Sequence, residues 1–346
     1  MAKKKYLIDG RFLASMSTGV DRFAYQILSE FDKLYDRNAS DYEVSILVPA
    51  NAKEVPAYKN IRVIKSKRNR FWTQIVYGGY ARFHRMIPIN LCNEASVIAP
   101  KGITALHDVC YAETKDVFPY VEEFPASERE WFLKIYKRIC KKAYRVITVS
   151  EFSKERIEKL LGMDGDRITV IGNGWQHFKH IEIDETLVPE QDRGKYFFVM
   201  TSANKNKNFP WVLKVAKNNP DCTFIAAGKD LDKIDDLSKY PNVKYVGYAT
   251  DVMAKTYMKY CRAFLFPSYY EGFGIPPMEA MSVGAKIIIS DRASLPEIFG
   301  GTAYYISPEN ADVNLNELIK IKTDDYSEVL EKYSWKHSAE KLLELL

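Results

Sequence analysis

Three features of this chain predict an α/β fold made of two doubly wound parallel-sheet domains. Short apolar runs of the kind buried in parallel sheets recur along it, separated by segments long enough for helices. One run, Phe264–Phe266, leads into a glycine-bearing loop, a short helix and a second apolar run, all within residues 264–300. Between Trp175 and Lys195 the apolar pattern lapses among acids, Pro189 and Gly194, which divides the 346 residues into two parts of ordinary domain size.

Composition narrows the function classes. Apolar residues make up 47% and charged residues 27%, ordinary for a soluble globular enzyme. A formal charge of +5 is too mild to argue for nucleic acid, and no RNA- or DNA-binding motif accompanies it. The five cysteines (Cys92, Cys110, Cys140, Cys222, Cys261) are widely spaced with no CxxC pair, which favours reduced thiols over a disulfide frame or zinc site. The opening MAKKKYLIDG lacks the apolar core of a signal peptide, and no stretch of about 18 apolar residues follows. The expectation is a cytoplasmic protein with room for peripheral contact with the inner face of the cell membrane.

Taken in order, Tyr6–Ile8 reads as the first strand. Ser17 and Thr18 offer N-caps to a helix whose Val20, Phe23, Ala24, Ile27, Leu28 and Phe31 fall at helical spacing. Gly19 stands at that helix start. By pattern alone the turn there is a plain strand-to-helix connection. Further strands are expected at Glu43–Val48, Arg62–Ile64, Ile103–Leu106 and Val146–Val149.

Residues 65–85 carry six lysines and arginines and no acid, interleaved with Phe71, Trp72, Tyr77, Tyr80 and Phe83. A helix at Trp131–Arg145 adds Lys134, Lys137, Arg138, Lys141 and Lys142 around a buried stripe of Phe132, Ile135, Tyr136, Ile139, Cys140 and Ala143. These basic surfaces read either as solvated helix faces or as a docking surface for an anionic leaflet. His107-Asp108 closes a short strand, a position that faces the ligand crevice of an open α/β sheet. On the residues alone the pair reads as structural. ITVSEFSKERI follows as a strand, a capping serine (Ser150 or Ser153) and a helix.

In the second half, Tyr196–Met200, Cys222–Ala227 and Val243–Val246 read as strands. The run from Thr201 to Asn208, rich in lysine and asparagine, is by itself a solvated loop. Asp230-Leu231-Asp232 reads as a solvated turn, not a metal site. Tyr333–Leu346 is an amphipathic helix with Trp335, Ala339, Leu342 and Leu343 on one face. In the central stretch, Gly272 and Gly274 let backbone N–H groups approach a ligand, and Pro276 and Pro277 suit a first helical turn. The loop therefore opens onto a helix N-terminus able to hold phosphate, with Glu271 and Glu279 on either side of it. Pro277 stands where a dinucleotide fingerprint needs its third glycine. Sugar nucleotides fit such a site.

The joint frame of Pro267-Ser268, Glu271-Gly272-Phe273-Gly274, Pro277, Glu279-Ala280-Met281, Gly284 and Pro296-Glu297 resembles the signature of retaining glycosyltransferases of family 4, which have the GT-B fold. ITVSEFSKERI and the ITVIGNGW run at Ile168–Trp175 resemble that family too. The likeness covers nearly the whole chain and is sharpest from Gly247 to Gly300.

The resemblance implies an acceptor-binding domain over 1–178, a nucleotide-sugar domain over 190–330, and a terminal helix, 331–346, crossing back to the first domain. It implies Glu271, His107 and Lys207 as catalytic residues. Donor binding falls to Gly19, Asn204, Lys205, Gly247, Tyr248, Gly272, Phe273, Gly274, Ile275 and Glu279, and acceptor binding to Asp108. Ser202 occupies the place of the family's usual second cation, for which Lys205 is the substitute.

The implied reaction moves a hexose or deoxyhexose from an NDP-sugar to a saccharide, lipid-linked in capsule or cell-wall synthesis. No cofactor and no metal are expected. Two alternatives share the architecture or the ligand: an NDP-sugar epimerase, and a non-catalytic sugar-nucleotide-binding partner.

Overall fold

The computed structural model describes residues 3–15, 18–68 and 70–346. They form two compact units: one running to Lys115 and including Val121–Asn173 and Ser334–Leu346, the other comprising Asp116–Tyr120 and Gly174–Tyr333.

The first unit holds seven strands: β1 (Lys4–Asp9), β2 (Tyr42–Val48), β3 (Arg62–Lys65), β4 (Ile87–Asn90), β5 (Gly102–Ala105), β6 (Ala143–Thr148) and β7 (Ile168–Val170). Their order is β3-β2-β1-β4-β5-β6-β7, every pairing parallel. This is the doubly wound pattern, in which the strand order reverses beside β1 and ligands gather at the carboxyl ends. The helix Gly19–Leu34 buries Phe23, Ala24, Ile27, Leu28 and Phe31 at the expected spacing. Thr18 closes a capping box with Asp21, while Ser17 lies outside the described residues. The terminal helix Trp335–Leu343 belongs to this unit and packs on Gly19–Leu34, with the Trp335 and Phe23 rings 6.2 Å apart. Ser338 Oγ donates to Gly172 O at 2.6 Å.

Two strands of this unit, β4 and β7, are not marked as strands by the sequence pattern. β4 lies centrally between β1 and β5 yet contains Pro88, which has no N–H for the ladder. Its neighbour accommodates it closely: a Cβ on Gly102 would meet Pro88 O at 2.1 Å. The basic helix runs over Ala126–Lys142, and Ala143, expected in its stripe, instead begins β6.

The second unit's six strands are β8 (Tyr196–Ser202), β9 (Thr223–Lys229), β10 (Val243–Tyr245), β11 (Ala263–Phe266), β12 (Ile287–Ser290) and β13 (Tyr304–Ile306). They pair in parallel in the order β10-β9-β8-β11-β12-β13. Its core gathers Phe197, Val199, Phe224 and Leu265 from the sheet with Phe209, Trp211 and Val212 from the helix Phe209–Asn218. Among the described residues no helix is long and apolar enough to cross a membrane.

Candidate functional site

The carboxyl end of β11 leads into the loop that carries the signature. Pro267 O accepts from Asn208 Nδ2 at 3.2 Å, and the same amide reaches Pro308 O at 2.9 Å. Tyr269 N donates to Asn206 O at 2.8 Å, so the loops after β8 and β11 are laced together. That lacing places Lys207 Nζ 2.6 Å from Glu271 Oε1. Ser294 Oγ donates to Glu271 O at 2.9 Å and pins the backbone beneath.

Beyond Glu271 the chain turns sharply. Gly274 adopts φ +100°, and a Cβ there would lie 2.7 Å from Leu295 Cδ2 and 3.3 Å from Phe299 Cε2. Phe273 is buried, edge-on to Tyr333 at 5.1 Å. The helix Ile275–Ser282 then begins with Pro276 and Pro277 in its first turn and no acidic residue there. Pro276 and Pro277 have no N–H and Met278 N donates to Gly274 O at 3.3 Å, so an anion at this end would meet the Ile275 N–H and the positive pole of the helix.

Glu279 lies one turn into that helix with its side chain 3% exposed, and its Oε1 is 2.8 Å from His177 Nε2. His177 comes from the short helix Gln176–His180 and was not singled out from sequence. Its only trace was its place two residues after the ITVIGNGW run.

Lys205 and Lys207 serve different surroundings. They occupy one short 3₁₀ turn, where residues two apart point in different directions. Lys207 meets Glu271, whereas Lys205 and Asn204 line a cavity of about 410 Å³ with Trp211, Lys214, Tyr269 and Glu309. Gly247 has φ +74° and its carbonyl accepts from Gly228 N at 2.8 Å, while Tyr248 is exposed. Asp230 pairs with Lys233 at 2.9 Å within its turn.

In the first unit, His107 is buried, its Nε2 3.1 Å from Leu91 O and its ring edge-on to Phe23 at 4.7 Å. Burial holds its pKa below the usual imidazole value. A ring that donates from Nε2 keeps Nδ1 as an acceptor. Asp108 Oδ1 accepts from Cys110 N at 3.1 Å, and Gly19 is the first residue of its helix.

A second acid, missed from sequence, ends β1. Asp9 is buried and accepts from Trp72 Nε1 at 2.5 Å, Asn90 Nδ2 at 2.9 Å, Arg11 N at 3.0 Å and Thr73 Oγ1 at 3.3 Å. Burial raises its pKa to about 6 against the pull of the Trp72 indole and Arg11. Its signal was available: an acid before a glycine at the end of a parallel strand.

Two family models match the chain: Glycosyltransferase Family 4 over residues 101–176, and Glycosyl transferases group 1 over residues 182–339. Among curated relatives, O-antigen chain mannosyltransferase B of Escherichia coli is 24% identical over 247 residues, covering 66% of this chain and 63% of that protein. O-antigen chain mannosyltransferase RfbU of Salmonella typhimurium is 25% identical over 203 residues, covering 56% of each. The chain thus spans less than two thirds of the length of these relatives.

Sucrose-phosphate synthase from Thermosynechococcus elongatus superposes with a TM-score of 0.73 at 14% identity, over 99% of this chain and 98% of that one. WaaG, a glycosyltransferase involved in lipopolysaccharide biosynthesis, gives 0.61 at 14% identity, over 99% and 95%. The fold is GT-B.

Proposed function

We propose that this GT-B glycosyltransferase of the family 4 type moves a hexose or deoxyhexose from an NDP-sugar to a saccharide acceptor, with retention of anomeric configuration. The observation that carries the reading is the Lys207 ammonium 2.6 Å from Glu271, beside a helix N-terminus whose first turn has no acid. As the nucleoside diphosphate departs, negative charge develops on the β-phosphate. Lys207 and the N–H groups of Gly272–Ile275 stabilise that charge without reorganising, and no metal is needed for it. Glu271 accepts from sugar hydroxyls and Glu279 from the ribose. His107, neutral, accepts from a donor-sugar hydroxyl through Nδ1, and Asp108 serves the acceptor.

The relatives named for O-antigen mannosyl transfer support an acceptor in surface polysaccharide synthesis. A lipid-linked acceptor draws support from the first unit's surface. Phe71, Ile75 and Phe83 are 60%, 56% and 83% exposed, and Val97 and Ile98 are exposed beside them. Arg82 Nη1 reaches Ile98 O at 3.5 Å, and Lys142 Nζ donates to Ala99 O at 2.7 Å. Burial, then the fields of Arg82, Lys141 and Lys101, hold the Lys142 pKa down, so these cations crowd one patch. Apolar side chains standing among cations suit an anionic leaflet.

The test is sugar transfer from a panel of UDP-, GDP- and dTDP-sugars to a lipid-linked saccharide, with the product anomer read by NMR. Transfer by the wild type and its loss in folded Glu271→Ala supports the reading. Turnover of the donor without acceptor to an epimeric sugar overturns it in favour of an epimerase. Binding without turnover of any kind leaves a non-catalytic partner.

A further inference from the structure

Glu279 and His177 meet across 102 positions of sequence, both side chains more than nine-tenths buried. A carboxylate taken that far from water needs a fixed donor. The segment bearing His177 is itself braced. Trp175 Nε1 donates to Leu330 O at 2.8 Å, and Gln176 Nε2 reaches Tyr333 O at 3.4 Å. Phe178 is buried. From the helix Asp251–Tyr260, the buried Lys255 donates to Phe178 O at 2.8 Å, Lys179 O at 3.1 Å and Ile181 O at 2.5 Å. An ammonium has three hydrogens, and three carbonyls take them. This brace ends on the one acid of the signature that is almost fully enclosed.

We infer that His177 is a positioning residue, braced by Lys255, that sets the Glu279 carboxylate to accept the hydroxyls of the donor's ribose. The inference rests on the sugar-nucleotide reading above and adds to it the residues that give the ribose its place. A merely structural His177 would support the fold and affect all ligands alike. A positioning His177 affects only ligands that carry the ribose hydroxyls.

The probes are UDP, GDP and dTDP, each beside its 2′,3′-dideoxy counterpart, titrated into the full chain by calorimetry. Wild type is expected to bind at least one diphosphate roughly ten- to hundredfold more tightly than its dideoxy form, the range for a hydrogen bond to a charged group. His177→Ala brings that ratio near unity by weakening the hydroxylated form alone. His177→Gln, which keeps an N–H near the same place, restores most of it. Lys255→Met shifts the ratio in the same direction as His177→Ala. In turnover, His177→Ala raises the donor KM more than it lowers kcat.

Circular dichroism checks folding. Should the alanine variant not fold, His177→Leu against His177→Gln makes the same comparison. A wild-type ratio kept in the folded donorless variant, or both forms weakened equally, overturns the inference. Wild type that binds a diphosphate without discriminating its dideoxy form overturns it too. Wild type that binds none of the three overturns the sugar-nucleotide reading itself, a result distinct from the others.

Discussion

Replacing Lys207 by alanine separates catalysis from stability at this site. The Nζ–Oε1 distance is 2.6 Å, and the lysine and glutamate side chains are 27% and 12% exposed. Near a protein surface two unit charges at about 4 Å attract by roughly 4 kcal/mol before desolvation and side-chain entropy are counted. Measured pairs of this partly exposed kind net about 0–1 kcal/mol. Lys207→Ala should therefore cost about 1 kcal/mol of stability, a Tm shift of about 2–4 °C for a unit of this size. Its effect on turnover should be far larger. One preorganised donor aimed at developing charge is worth about 10²–10³ in kcat, about 2.7–4 kcal/mol.

Lys207→Arg keeps the charge and should fall between. The assay is transfer under saturating donor, set beside thermal melting of the same preparations. A folded Lys207→Ala protein within about threefold of wild-type kcat, well short of the loss expected for a lost electrostatic donor, would refute the role given to this lysine.

Other outcomes follow from the first unit. The Asp9 carboxyl has a folded pKa of about 6 against an unfolded value of 3.8. Its contribution is then fully present below about pH 4 and is lost as pH rises through about 6, up to ~3 kcal/mol at 1.36 kcal/mol per unit. Urea unfolding from pH 4 to 7 should show wild type losing ground to Asp9→Asn, and a constant difference between them would contradict this. Arg156 clasps Glu113 in two bonds of 2.7 and 2.6 Å, with the glutamate side chain fully enclosed. Arg156→Ala should cost about 3–5 kcal/mol in equilibrium unfolding, because it strands a buried charge. Serine at Phe71, Ile75 and Phe83 together should cut sedimentation with phosphatidylglycerol vesicles at least tenfold, since burying each such side chain is worth about 1.5–3 kcal/mol. Unchanged sedimentation would remove the membrane from the account.

What the sequence made legible was set by local periodicity. The helix Gly19–Leu34 and the strands around Val44, Val146, Phe197 and Leu265 announce themselves because one face or both are buried in a regular rhythm. The signature loop was equally plain, as Gly274 and the prolines act within a few residues of each other. β4 was not, because Pro88 reads as a strand breaker and only the close approach of Gly102 shows how the sheet takes it.

Partnerships across long separations were also invisible. The 102 positions between His177 and Glu279 leave no spacing to read, and the donors gathered on Asp9 come from Arg11, Trp72, Thr73 and Asn90. The separate surroundings of Lys205 and Lys207 depended on a 3₁₀ turn that no periodicity foretold.

The most direct measurement is a crystal structure of the protein soaked with UDP, GDP or dTDP, whichever binds. It should place the β-phosphate within hydrogen-bond reach of Lys207 Nζ and of the N–H groups at Gly272–Ile275, with the ribose hydroxyls on Glu279. A nucleotide whose diphosphate lies away from Lys207 and that loop would contradict the account at its centre.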